Sequence, residues 1–426
     1  MKTGPVGSAQ SIFPLQMPNL SSSQGSVSLI VSMPDTCSLG SAEACRRWSG
    51  SAPRQDLPLI NGFSVDVPGP QVESFMAALP PGTRVALNAA LRFPPPGAAG
   101  HDRRASPEVV ERLPGIEKVW QQGFTGKGVT IAVIDSGAYP HPDFADRLVG
   151  WADLADGKPR PHDPLGHGTH VAGVALGNGA RSAGRYKGVA PEANLVGVRI
   201  TTVEEAIKAL QWVIENKDRY NIKVVNMSLG DYATRSYQDD PWAQATRKAI
   251  EAGLVVVVAA GNEGPEEQTI STPGVLPEAI TVGAYDDKGT ARLDDDQVAS
   301  FSSRGPTPID KVPKPDVVAP GVRIFGPLAP GARLDVPELP HEGRDYLALT
   351  GTSYAAPMVA GLAAVLLQAN PTLTPADVRE ILRRSAEPRF AGDANQQGAG
   401  GVNALKALEL ARSWGAARYS PVPAPA

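Results

Sequence analysis

An α/β fold on a central, mainly parallel sheet is what this sequence predicts. Three observations carry the expectation. Short, nearly continuous apolar runs recur between residues 129 and 282, as strands covered on both faces require. Stretches of helical period lie between those runs. Polar, glycine-flanked residues follow several of them, where an open parallel sheet keeps its binding crevice. The chain has 426 residues, enough for one large core and a smaller companion unit. Lys plus Arg is 40 and Asp plus Glu is 44, a net charge of −4, so no basic excess points to nucleic acid. The cysteines, Cys37 and Cys45, lie near the start, which leaves no catalytic thiol, zinc–thiolate site or disulfide framework in the main body. No uninterrupted apolar run reaches the ~18 residues of a membrane span.

In chain order, residues 1–57 read as a disordered or atypical N-terminal segment, rich in Ser, Gly, Pro and Gln. Their best apolar stretch, 27–33, is short, carries serines and lies far from Lys2, so it makes a poor secretory signal. Residues 58–93 read as a small α+β unit. It has a strand after Gly62, a short helix over 72–79, a Pro80-Pro81-Gly82 turn and a second strand over 83–87. Residues 94–106, with Pro94-Pro95-Pro96-Gly97 and Arg103-Arg104, read as an exposed linker. The main domain spans 107–412. Strands are expected at 129–134, 195–200, 223–225, 254–258 and 279–282. Helices are expected at 203–216, with Val203, Ile207, Leu210 and Ile214 on one face, and at 242–252, closed by Gly253. This alternation calls for right-handed crossovers. Thr374-Pro375 opens a late helix with a cap and a proline at its first position. A last helix covers 402–412, and 413–426 is a tail.

The polar residues fall where such a sheet would place a site. Asp135-Ser136-Gly137 follows the first run, Asn226-Met227-Ser228-Leu229-Gly230 the third, and Ala259-Ala260-Gly261-Asn262 the fourth. Gly166-His167-Gly168-Thr169-His170 and Thr350-Gly351-Thr352-Ser353-Tyr354 each pass into small apolar residues suited to a tightly packed helix. Ser353, expected just ahead of its helix, gains the partial positive charge of a helix N-terminus. A serine hydroxyl is a poor nucleophile until a base takes its proton. His167 can be that base, and Asp135 can fix its tautomer. Asn262 offers an amide donor to a developing oxyanion. Singly, each has a plainer reading: Ser353 as a helix N-cap, Asp135 as a turn cap, Asn262 as a left-handed turn residue. His167 and His170 have the spacing of a metal pair, with no third ligand motif beside them. Four glycine-flanked signals on one α/β pattern together point to nucleophilic catalysis.

On these segments, with Phe301-Ser302-Ser303-Arg304-Gly305-Pro306 and the run 314–321, residues 107–412 resemble a subtilisin-like serine protease, a subtilase. The order Asp, His, Ser is that of the family. The resemblance implies a subtilisin-like three-layer fold and a serine endopeptidase. Ser353 would attack a peptide carbonyl, His167 would carry the proton, Asp135 would orient it, and Asn262 with the Ser353 N–H would hold the oxyanion. It also implies that Ser228, Leu229 and Gly230 pair with substrate backbone, and that Ala260 and Gly261 help wall the pocket before the scissile bond. His170 would be structural. The stretch Ile60-Asn61-Gly62-Phe63-Ser64-Val65 resembles the C-terminal part of the family's inhibitory propeptide, whose front half is not recognisable in 1–57.

That likeness implies a self-processing enzyme cut within 94–106, with its own propeptide as intramolecular inhibitor. By analogy it is secreted, an intracellular enzyme being the alternative. Substrates would be proteins or peptides, with broad apolar preference, and the enzyme a monomer. No cofactor is needed for the chemistry. Structural calcium occurs in the family, and Asp239-Asp240, Asp286-Asp287 and Asp294-Asp295-Asp296 are acidic candidates, although such runs are usually solvated loops. No metal ligand is assigned. The Pro-rich insert at 328–344 has no expected role. A binding protein on this scaffold would have lost a catalytic position. An α/β-hydrolase esterase would show Gly-x-Ser-x-Gly and the order Ser, acid, His. A sedolisin-like acid protease would carry Glu in place of His167.

Overall fold

The computed structural model describes residues 25–34, 53–91, 93, 113–290, 292–388 and 390–415. The linker and processing site expected at 94–106, and most of the tail expected at 413–426, lie outside the described residues. At the N-terminal end, β1 (Ser26–Ser32), β2 (Gln55–Leu57), β3 (Gly62–Pro68) and β4 (Arg84–Leu87) form one sheet in the order β2-β3-β1-β4. β1 runs antiparallel to both β3 and β4. Helix α1 (Val72–Ala78) follows β3.

At 26–32, β1 corrects the reading of residues 1–57 as a disordered or atypical segment. The apolar stretch there is the inner strand of the small sheet, not a loose segment. Val27, Leu29, Val31 and Met33 pack with Phe63, Val65, Val72 and Phe75 in the unit's own core. Ile30 faces the other way, joining Leu57, Ile60 and Ala86 against the main domain. Burial on both faces puts Leu29-Ile30-Val31 in a row and hides the two-residue alternation by which a half-buried strand is recognised.

The large sheet begins with β5 (Thr130–Asp135), β6 (Leu148–Asp153), β7 (Asn194–Arg199) and β8 (Ile222–Met227). It continues through β9 (Val255–Ala259), β10 (Ile280–Asp286) and β11 (Gln297–Val298), in the order β11-β10-β9-β8-β5-β7-β6, with β12 (Val317–Pro320) beside β10. β11 pairs antiparallel with β10; the other pairings are parallel. Alternate residues of β5 serve two cores. Ile131 and Val133 join one, Ala132 and Ile134 the other.

The first core is covered by α2 (Ile116–Gln121) and α3 (His167–Leu176). The second is covered by α4 (Val203–Asn216) and α5 (Pro241–Glu251). α4 starts at a capping box in which Thr202 and Glu205 bond each other's backbone N–H, which sets its first residue. β13 (Ile324–Pro327), β14 (His341–Glu342) and β15 (Tyr346–Leu349) make a small antiparallel sheet within the segment that includes the Pro-rich insert.

The remaining helices, α6 (Thr352–Ala369), α7 (Pro375–Ser385), α8 (Ala394–Gln397) and α9 (Ala404–Ser413), close the chain, and α6, α7 and α9 complete the first core. α6 has 18 residues with a mean hydropathy of 1.3, long and apolar enough to cross a membrane by length and composition. The helix is 89% buried inside the protein, and a helix apolar on every side is what a core position demands. These layers bring the C-terminal end of β5 and the N-termini of α3 and α6 to one cleft.

Candidate active site

Asp135 is the last residue of β5 and is fully buried. Its Oδ1 accepts the Ser136 N–H at 2.7 Å and lies 2.8 Å from His167 Nδ1. His167, also fully buried, is the first residue of α3. Gly168 makes this approach feasible. A Cβ there would stand 3.1 Å from Asp135 Oδ1 and collide with the Gly137 carbonyl oxygen. With Nδ1–H given to the carboxylate, Nε2 is left to act as the base. Nε2 is buried and has no hydrogen-bond partner. The ring is held edge-on by Phe93 and tilted against Tyr354, each with its centroid 5.6 Å away.

Ser353 is the second residue of α6, inside the helix rather than just ahead of it as expected. Its hydroxyl donates to the Ser228 carbonyl oxygen at 2.9 Å, and no hydrogen bond joins it to His167. A free site can hold its serine in this way, because catalytic hydrogen bonds often tighten only when substrate is bound. Gly351 precedes the helix at φ 157°, a backbone value open to glycine, and offers no side-chain cap. Among the first three amides of α6, Asn262 takes the Thr352 N–H and the Gly351 carbonyl takes the Tyr354 N–H at 3.1 Å, which leaves the Ser353 N–H for a ligand.

Asn262 Oδ1 accepts from the Thr352 N–H at 2.9 Å and the Thr352 hydroxyl at 3.0 Å. These bonds orient the amide so that its NH2 is the free donor group. The cleft has a volume of about 710 Å³, and Leu229, Gly230, Gly261, Asn262, Thr352 and Ser353 line it. Ser228 and Ala260 stand behind that surface. Ser228 holds the serine hydroxyl, and the Ala260 carbonyl is taken by the Ser271 N–H and hydroxyl, both at 3.0 Å. Of the expected wall residues, Gly261 lines the cleft and Ala260 does not; Ala259 lines it in addition.

The sequence reading missed Leu91 and Phe93, which also line the cleft. The Leu91 N–H donates to the Thr201 carbonyl at 2.8 Å and the Val203 N–H to the Ala89 carbonyl at 3.1 Å. Residues 89–91 thus run antiparallel to 201–203 as an added strand. Ion pairs and hydrogen bonds hold the small unit nearby: Arg84 to Asp239 at 3.0 Å and Asn88 to Glu204 at 3.2 Å.

His170 is structural. Its Nε2 lies 3.0 Å from the Ile324 carbonyl and 3.1 Å from that of Leu347, tying α3 to β13 and β15. Burial, and then the neighbouring His167, push its pKa down to about 3. The native protein holds this ring neutral, and the unfolded chain takes up a proton below about 6.5. The stabilisation is therefore fully present above pH 6.5 and falls by about 1.4 kcal/mol per pH unit towards pH 3. Urea unfolding at about pH 5 and pH 7 is expected to show that slope. The slope should be smaller in His170→Gln, which keeps a donor without a titrating group; what remains belongs to other groups such as His141, whose pKa burial also lowers.

Asp153, Asp156 and His162 form a group whose ligand atoms lie within 4.8 Å of one another. It does not fit a resident cation. Arg199 sits 2.9 Å from Asp153 and 3.1 Å from Asp156, filling the place of the positive charge. Four of the acidic residues considered for calcium are engaged by protein groups. Asp239 pairs with Arg84, Asp240 caps α5, Asp286 pairs with Lys288, and Asp294 pairs with Arg292.

A buried Asp–His pair, a serine in the first turn of a helix and an oriented asparagine amide make a site built for acyl transfer. Comparison with known families matches residues 126–400 to the subtilase family. The chain belongs to the subtilase family; it is a subtilisin-like serine endopeptidase. Serine protease AprX of Bacillus subtilis (strain 168) is 48% identical over 295 residues, which is 66% of each chain. Subtilisin Savinase of Lederbergia lenta is 35% identical over 66% of this chain and 91% of its own. Among solved structures, fervidolysin from Fervidobacterium pennivorans, described as a keratinolytic enzyme related to subtilisin, has a TM-score of 0.66 and 25% identity. That match covers 90% of this chain and 61% of fervidolysin.

Proposed function

We propose that this chain cleaves peptide bonds through an acyl-enzyme on Ser353. His167 takes the hydroxyl proton and returns it to the leaving amine. Asp135 holds the imidazole tautomer and stabilises the imidazolium. The Asn262 amide and the Ser353 N–H receive the oxyanion, and Leu229-Gly230 and Gly261 hold the substrate's backbone. The observation that carries this reading is the buried 2.8 Å contact between His167 Nδ1 and Asp135, which leaves Nε2 facing an unmet demand for a proton. Leu165, Leu229, Ala259 and Phe301 in the cleft wall favour apolar substrate side chains.

The N-terminal unit acts as the inhibitory propeptide in this reading. Support comes from Leu91 and Phe93 in the cleft and from the strand that 89–91 adds beside 201–203. A cut within 94–106 would free the cleft. A sulfonyl fluoride tests the chemistry directly. Casein hydrolysis should stop in step with covalent labelling of the Ser353 peptide, read by mass spectrometry. Hydrolysis that persists with Ser353 fully labelled refutes the mechanism.

Asn262→Ala is expected to lower kcat by about 10²–10³ with little change in KM, the figure known for the equivalent asparagine of subtilisin. Steady-state kinetics on a peptide substrate check it. An equal loss in KM alone would make Asn262 a binding group and not an oxyanion donor.

A further inference from the structure

The Pro-rich insert at 328–344 is built into the cleft. The Arg333 N–H donates to the Pro164 carbonyl at 3.0 Å, and the Leu334 N–H to the Leu165 carbonyl at 3.1 Å. Two consecutive backbone N–H groups of the insert are thus held by carbonyls of the residues that lead into His167. Leu334 and Ala332 are buried, and Ala332 fills the space above Gly166, where a Cβ would stand 3.0 Å from it. These anchors place Arg333 on the cleft wall with Leu165, Phe301 and Thr350. Arg333 is exposed, and it is the one cationic side chain among the described residues of that wall.

The other charged lining groups are acidic. They are Asp231, which accepts the Tyr232 N–H at 2.8 Å, and Glu263, which accepts the Asn262 N–H at 2.8 Å; Asp335 of the insert, outside that wall, lies 3.4 Å from His341. Arg333 forms no ion pair with any of them. A guanidinium fixed by its own backbone, beside an apolar wall and without a counter-charge, suits a carboxylate delivered by a ligand.

Which half of the cleft it serves follows from the chain directions. Residues 89–91 run along 201–203, and Phe93 meets the His167 ring, so these residues occupy the half that holds the substrate before the scissile bond. Leu165, Phe301, Thr350 and Arg333 belong to none of the segments that hold that stretch. We propose that Arg333 selects an acidic residue, Asp or Glu, in the first two positions after the scissile bond. This rests on the peptidase reading above and adds a substrate class to it.

The test uses the processed wild-type enzyme and pairs of internally quenched peptides that differ only by Glu or Gln at each of those two positions. Taking kcat/KM as a ratio within one preparation cancels differences in active fraction or folding. Wild type is expected to favour Glu by about fivefold at one of the positions, the upper range for an exposed ion pair, and less at high salt. Arg333→Lys should keep most of the preference, Arg333→Ala should bring the ratio to about one, and Arg333→Glu should invert it. A ratio near one in wild type, or one unchanged in Arg333→Ala and Arg333→Glu, overturns the proposal. A peptide p-nitroanilide, which has no residue beyond the scissile bond, separates the two readings. Wild type that cuts it without a Glu preference refutes the role of Arg333 alone. Wild type that leaves it and every peptide intact refutes the peptidase reading as well.

Discussion

Replacing Ser353 with alanine is expected to lower kcat on a peptide substrate by on the order of 10⁶, the scale known for the nucleophile of subtilisin, with the fold intact. The side chain is buried and its one hydrogen bond runs to the Ser228 carbonyl, so its removal should cost about 1 kcal/mol of stability at most. Catalysis and folding are therefore separable at this position. His167→Ala should cost about as much as Ser353→Ala, and the double variant little more, because the two groups act as one unit. Intact mass gives a second readout. Wild type should lose its N-terminal residues by a cut within 94–106, while Ser353→Ala keeps its full mass. Casein hydrolysis that survives in Ser353→Ala would sink the mechanism. A Ser353→Ala chain trimmed like wild type would assign the cut to another protease.

Asp316→Asn is expected to destabilise the protein by about 3–5 kcal/mol, the cost of leaving a buried charge without its partner. Lys314 is fully buried, with its ammonium 2.7 Å from Asp316 Oδ2 and 2.7 Å from the Ala279 carbonyl. Burial pulls the lysine pKa down to about 8 against the opposing pull of Asp316, so at pH 7 the pair is ionised on both sides. Burial also works against the Asp316 carboxylate, and Lys314 and Arg379 together still hold its pKa below the ordinary value. Arg379 lies 2.6 Å from Oδ1 and is partly exposed, so it can turn to water when the carboxylate is lost. Lys314 has no such route. The double variant Lys314→Met/Asp316→Asn should therefore recover much of the loss. Urea unfolding in a Ser353→Ala background, which prevents autolysis, measures both variants against their parent. An Asp316→Asn loss below about 1 kcal/mol would mean that water reaches Lys314.

The site was legible because its residues are tied to local signals. Asp135 ends an apolar run, His167 and Ser353 follow glycines at helix starts, and Asn262 follows another run. In each case the pattern that makes the element also marks its end. The helix expected at 203–216 matches α4 residue for residue, since Thr202 and Glu205 set its start and its apolar face has a clean period. Elements whose identity lies in their partners were not legible. β1 is recognisable only beside β3 and β4, thirty or more residues away. β6 is an edge strand with a glycine and uneven burial, which blurs any alternation.

The same division runs through the cleft. Sequence alone determined which side chains can do the chemistry, and in what order they come along the chain. Spacing relative to strand ends is a short-range property. Only the tertiary structure decided that Ala260 lies behind the wall, that the Ser353 hydroxyl rests on Ser228, that Leu91 and Phe93 reach the cleft, and that the insert brings Arg333 to its edge. Those outcomes depend on contacts between segments far apart in the chain, which form only when the layers pack and which no local period encodes.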